Sequence, residues 1–234
     1  MGTAEKSAQG YDFDVVARRL RGGNSDFVSV GALGEAGGLP LLGAKIGHRF
    51  SGRQSVLMTG GVHGDEPAGV EALLQFIEGP IKAYLDRFFF FVLPCVNPYG
   101  YAVGTRENAS GKDINRAMSD DEVSESVLLR RFIAGRQFDL FFDLHEDYEA
   151  TGFDIYEGQR EGRLLGGTLV DAIKSIGPVD GDENTDAGLD LPISEGLYGI
   201  NPKWKDQGWS AYAYYESADH VVLCETPSTA WPLD

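Results

Sequence analysis

Histidine is scarce in this 234-residue chain: there are four, His48, His63, His145 and His220. Any chemistry that needs imidazole must draw on that short list. Cysteine is scarcer still, with Cys95 and Cys224 alone. Neither belongs to a C-x-x-C pair, which excludes a zinc knuckle. Each sits inside an apolar run and reads as a buried free thiol of a reducing compartment. Basic residues are also few, 20 against 36 acids, for a formal net charge of -16. That deficit argues against nucleic acid as a partner, because phosphate binding needs a surplus of Lys and Arg. It equally disfavours docking on anionic membranes. No apolar stretch reaches the ~18 residues of a membrane helix, and the first ten residues lack the apolar core of a signal peptide. Cytoplasmic residence is the expectation. What the chain has in plenty is glycine, 31 residues, about twice the usual ~7% share, so tight turns are frequent.

Hydrophobic spacing predicts helices over 11–21, 67–77, 124–133, 162–176 and 210–216. Strands are expected within 39–50 and over 55–61, 88–96, 139–145 and 220–224. Phe88 to Val96 is a continuous apolar run, the mark of a strand covered on both faces. The stretch 97–111, dense in Gly, Asn and Pro, reads as loop, and 178–192 as an acidic, solvated loop. Alternation of strands and helices indicates an α/β fold, with a mixed, mainly parallel twisted sheet and helices on both faces. One domain is expected over 1–234, with a motif-bearing core at about 39–227. Ligands in such sheets bind at the carboxyl ends of the strands. Polar clusters do follow the strands, at His63 to Glu66, at Asn97, at His145 and at Glu225.

Gly60-Gly61-Val62-His63-Gly64-Asp65-Glu66-Pro67 puts an imidazole and a carboxylate three residues apart, on a turn between a strand and a helix. Nitrogen with carboxylate oxygen suits zinc, and three protein ligands with an open position make a catalytic site. His145 ends an apolar strand and can supply the third ligand. Asp143, two residues before it, shares its face. Asn97-Pro98-Tyr99-Gly100, Arg106-Glu107-Asn108 and Gly111 to Arg116 form a loop region rich in donors, able to recognise a carboxylate or hold a developing oxyanion. Glu225 follows an apolar strand, so desolvation would raise its pKa toward the range of a general base.

In order, H-x-x-E, N-P-x-G, R-x-N-x-x-G-x-D-x-N-R, D-x-H and E-T-P resemble the zinc carboxypeptidases of the carboxypeptidase A type. The G-G-V-H-G-D-E-P form is most similar to small bacterial members such as murein peptide amidase-like proteins. The succinylglutamate desuccinylase and aspartoacylase group shares the zinc motif. The resemblance implies one zinc ion on His63, Glu66 and His145, with Asp113 orienting a ligand imidazole. Arg106 would polarise the scissile carbonyl, and Asn115 and Arg116 would hold the substrate carboxylate. Glu225 would be the general base toward a zinc-activated water. Four departures stand out. Ala117-Met118 replaces the usual Asn-Phe, and a C-terminal helix is expected to be short or missing. The family's mobile Tyr is open among Tyr198, Tyr212, Tyr214 and Tyr215. The run Glu146 to Glu149 is unusually acidic, and is read as solvent-facing charge ahead of a site for a substrate cation or second metal.

The expectation is therefore a zinc metallocarboxypeptidase, hydrolysing an amide bond next to a free C-terminal carboxylate in a peptide or small cell-wall-type peptide. One alternative is an N-acyl amino acid deacylase acting on an acyl-amino-acid substrate. The other, from a different class, is a catalytically silent module that binds zinc and carboxylates. Tight binding without turnover would mark the silent module; the two hydrolases part on peptide against acyl-amino-acid substrates.

Overall fold

The computed structural model describes residues 10–22, 26–48, 52–79, 81–180 and 191–228. The first nine residues and the acidic stretch from Asp182 to Asp190 lie outside them. Helix α1 (Phe13–Gly22) buries Phe13, Val16, Ala17 and Leu20, one face at helical spacing. Strands β1 (Val28–Ala36) and β2 (Leu39–Ile46) then pair as a hairpin. Its two-residue turn is Gly37-Gly38, with φ of 59° and 80°, left-handed values that match the twist of the flanking strands. Next come β3 (Gln54–Gly60), α2 (Pro67–Glu78), β4 (Phe88–Leu93), α3 (Pro98–Val103) and α4 (Ser124–Ile133). The chain continues through β5 (Leu140–Asp147), β6 (Asp154–Gln159), α5 (Gly166–Ile173), β7 (Leu191–Ser194), β8 (Leu197–Gly199), α6 (Trp209–Glu216) and β9 (His220–Pro227).

Among the described residues the sheet has nine strands, in the order β1-β2-β4-β3-β5-β9-β6-β8-β7. Its centre is parallel, with β4, β3, β5 and β9 side by side. The antiparallel pairs lie toward the edges. From β3 the chain crosses to β4 on one side, then passes through α4 to β5 on the other. The order therefore reverses at β3, and the crevice outside the carboxyl ends of β3 and β5 is the natural ligand position.

One face of the sheet packs against α4 and α6, the other against α1 and α2. Parallel register stacks that first face in layers. Leu57, Phe141 and Val221 are paired neighbours and fully buried, each worth ~1.5–3 kcal/mol in burial. One step on lie Thr59, Asp143 and Leu223, and beyond them His145 beside Glu225. The face thus runs from apolar floor to buried polar layer to site.

Two expectations are corrected. The stretch 97–111 is not all loop: Asn97 caps α3, its Oδ1 accepting the Gly100 N–H at 2.8 Å. Strands β1, β6, β7 and β8 were not expected. Gly31 and Gly34 interrupt the alternation of β1, while β6 (Asp-Ile-Tyr-Glu-Gly-Gln) is polar in sequence yet largely buried between β9 and β8.

Candidate metal centre at the carboxyl end of the sheet

The turn after β3 is built by close backbone approach. Gly61 has φ of 60°, a left-handed value that a side chain would resist. Gly64 lies against the next turn, and a Cβ there would sit 2.0 Å from the Gly100 carbonyl carbon. Val96 and Asn97 N–H donate to the Gly60 and Gly61 carbonyls at 3.0 and 2.8 Å. The two loops leaving β3 and β4 are thus stitched together. Pro67 then starts α2 directly behind Glu66, a first-turn position that needs no N–H.

His63, Glu66 and His145 converge. They are 3%, 5% and 1% exposed, and one ligand atom from each lies within 4.8 Å of the others. His63 Nδ1 is 2.5 Å from Glu66 Oε1, and His145 Nδ1 is 2.9 Å from Glu66 Oε2. The outer nitrogens both meet carboxylates: His63 Nε2 lies 3.2 Å from Asp113, and His145 Nε2 lies 3.2 Å from Asp143. Carboxylates behind two imidazoles orient them and raise their basicity as ligands. Two inward nitrogens and a carboxylate, buried and mutually close, fit a divalent ion of zinc type.

The charges are strongly coupled. Burial alone would raise the pKa of Glu66, but the His145 and His63 imidazoles bring it down to about 2. Burial would lower that of His145, yet Asp143 and Glu66 on either side hold it well above the usual histidine value. Asp113 is likewise held well below the carboxylate range, since its contacts with His63, Arg106 and Arg116 outweigh burial. Its Oδ1 also accepts the Asn115 N–H at 2.8 Å, and its Oδ2 accepts from Arg106 Nε at 3.0 Å.

The other expected residues gather here too. Arg106 stands with a guanidinium nitrogen 3.5 Å from Glu66. Asn115 is half-buried, and its Oδ1 accepts the Trp209 N–H at 2.8 Å, which leaves Nδ2 as its donor. Arg116 is exposed, donating to the Asn115 carbonyl at 2.9 Å. Glu225 is half-buried and paired in register with His145. Burial, with Glu66, Asp154 and Asp147 nearby, pushes its pKa well above the usual Glu value, against the pull of His145.

Some candidates serve the scaffold instead. Asn97 caps α3 and ties down the Arg106 carbonyl at 3.2 Å. Asn108 is buried, donating to Glu125 at 2.8 Å. Glu146 Oε1 accepts the Ala68 N–H at the start of α2, and Asp147 accepts the Glu149 and Ala150 N–H groups. Among the described residues the acidic run forms no second metal-type group. Of the tyrosines, Tyr198 is buried and stacks on Tyr156, while Tyr214 and Tyr215 meet edge to face, with Arg160 over the first ring and Lys205 over the second. Cys95 and Cys224 are free and buried, as expected. No helix among the described residues is long and apolar enough to cross a membrane. Thr59, Trp209 and Ser210 were missed. The local signal for the first two was a polar residue late in an apolar strand and an aromatic at a helix start, neither informative alone.

The fold is that of metallopeptidases and metallo-carboxypeptidases of known structure, and the site holds a metal-type donor group. The catalytic-domain model of the succinylglutamate desuccinylase/aspartoacylase family matches residues 52–163. A chain of known structure from Shewanella amazonensis SB2B, described as a metallopeptidase, is 26% identical, with a TM-score of 0.75 over 94% of this chain and 84% of that one. A metallo-carboxypeptidase from Burkholderia cenocepacia superposes with a TM-score of 0.70 at 22% identity, over 93% of this chain and 60% of that one. Carboxypeptidase A from Helicoverpa armigera superposes with a TM-score of 0.65 at 19%, over 94% and 64%. At these two identities the likeness is one of fold. Carboxypeptidase SOL1 of Arabidopsis thaliana is 33% identical over 70 residues, a match spanning 26% of this chain and 14% of that protein.

Proposed function

We propose that the chain is a zinc-dependent amide hydrolase of the carboxypeptidase type, cutting next to a free carboxylate. The observation that carries this reading is the paired wiring of His63 and His145. Each ring has one nitrogen on an outer carboxylate and the other turned to Glu66, as a ligand set requires. Bound on His63, Glu66 and His145, zinc would supply Lewis acidity toward a water molecule and the substrate carbonyl.

The remaining roles belong to this chain's own side chains. The Arg106 guanidinium beside Glu66 offers donors to a carbonyl oxygen as charge develops on it. Asn115 Nδ2 and the exposed Arg116 form a donor pair for the substrate carboxylate. Glu225, with its pKa raised, is suited to take a proton from water at its carboxylate and return it to the leaving amine. Asp113 holds His63 and Arg106 in place at once.

A second reading, an N-acyl amino acid deacylase, is supported by the family model matched over 52–163. Both readings share the cut amide and the adjacent carboxylate. The test is release of free amino acid from two panels, peptides and N-acyl amino acids, after chelation and after zinc is returned. Zinc-dependent release from the peptide panel supports the first reading, and release from the acyl panel alone supports the second. Stoichiometric zinc with no release from either panel overturns both in favour of the silent binding module.

A further inference from the structure

We infer that Thr59 and Ser210 are positioning residues that, through Asp143, set how tightly the His63–Glu66–His145 group holds its metal ion. The inference rests on the metal-centre reading above.

Asp143 is fully buried in β5 and has three partners. The Thr59 hydroxyl donates to Oδ1 at 2.6 Å, the Ser210 hydroxyl donates to Oδ2 at 2.6 Å, and His145 Nε2 approaches Oδ2 at 3.2 Å. Thr59 also lies 3.2 Å from Trp209 Nε1. An indole nitrogen only donates, and a hydroxyl has one proton. The Trp209 N–H therefore donates to Thr59, and Thr59 must pass its own proton to Asp143. The direction of the chain is fixed from one end.

A consequence reaches the metal centre. With both hydroxyls donating, Asp143 is held as an acceptor at both oxygens, so His145 Nε2 must be the donor. A neutral His145 ring then carries its proton on Nε2 and its lone pair on Nδ1, the atom facing Glu66. The start of α6 and the end of β3 thus select the ligating tautomer and fix the ring's aim. These groups lie far apart in sequence, Thr59 and Trp209 by 150 residues and Asp143 and Ser210 by 67. The fold spends two hydroxyls and an indole, all buried, on one carboxylate.

The experiment measures zinc affinity of the metal-free protein by competition with a chromogenic chelator. Thr59→Val and Ser210→Ala are each expected to weaken zinc binding by about tenfold, the low end for groups that orient a ligand. Thr59→Ser, which keeps the hydroxyl, should restore parental affinity. In an Asp143→Asn background neither Thr59→Val nor Ser210→Ala should weaken binding further. Parental affinity in both variants overturns the inference, as does an undiminished loss in the Asp143→Asn background. Should Ser210→Ala fail to fold by circular dichroism, the contrast between Thr59→Val and Thr59→Ser decides alone. A folded parent that takes up no zinc overturns the metal-centre reading itself, whereas zinc-binding variants at parental affinity overturn only this inference.

Discussion

Strand β9 carries a buried histidine–carboxylate bond at its amino end and borders the candidate metal centre at its carboxyl end, and the two ends differ in kind. At its amino end His220 Nε2 bonds Glu157, whose two oxygens also accept the Leu165 and Gly166 N–H groups at 2.6 and 2.8 Å. One carboxylate meets one imidazole and the amides at the start of α5, so donors and acceptors balance. At its carboxyl end Glu225 joins Glu66, Asp113 and Asp143 around two imidazoles and Arg106. Here the four carboxyl groups outnumber the two imidazoles and the one guanidinium. The same residue types make a closed structural latch in one place and a site that calls for a cation in the other. The excess of carboxylates, rather than histidine itself, marks the functional end.

The largest test of that contrast is Glu225→Gln. It should lower kcat by on the order of 10²–10⁴-fold, the range for loss of a general base, while zinc affinity is retained. Steady-state kinetics on the substrate found by the two-panel screen would check it; unchanged kcat removes Glu225 from the mechanism. Next in size is Glu157→Ala at the opposite end. It leaves His220 and two amides without their acceptor and should cost ~1–3 kcal/mol of stability, read by urea unfolding. Zinc affinity should not change. A loss of zinc binding there would break the contrast, since the amino end would then be coupled to the site.

How much of this was legible in the sequence depends on the range of each contact. His63, Glu66, His145 and Glu225 could be read because each follows an apolar strand, and strand ends on one side of a parallel centre must meet. Asp113 came from the resemblance, and the structure puts it against His63 and Arg106. The Thr59–Asp143–Ser210 wiring could not be read, because its members belong to three elements whose packing no local pattern encodes. Strand β6 was missed for a related reason: Asp154 and Glu157 look exposed in sequence, yet antiparallel pairing with β9 buries both. Asn97 and Asn108 were grouped with the substrate donors because their loop is polar. The structure uses both to cap and brace that loop instead.

The smallest effect separates the two ends by pH. Burial works to raise the pKa of Glu157, but the His220 bond and the Leu165 and Gly166 amides lower it below the ordinary 4.5. Its stabilisation is therefore present above that value and is lost as pH falls through the lowered one. Glu66, brought from 4.5 to about 2, acts with the same sign. His145 acts oppositely: its pKa is raised above 6.5, so its contribution is complete below that value and is lost as pH rises through the raised one. The metal-free protein should thus weaken on both acid and alkaline sides, with His145 at the site end contributing to the alkaline loss. Glu157→Gln should flatten part of the acid-side decline and leave the alkaline side untouched. Zinc held by His145 and Glu66 would take the place of the proton between them, so loading should reduce the alkaline decline. Urea midpoints from pH 3 to pH 10, with and without zinc, give the comparison. An alkaline decline that disappears in Glu157→Gln would show that the two ends of β9 do not titrate independently.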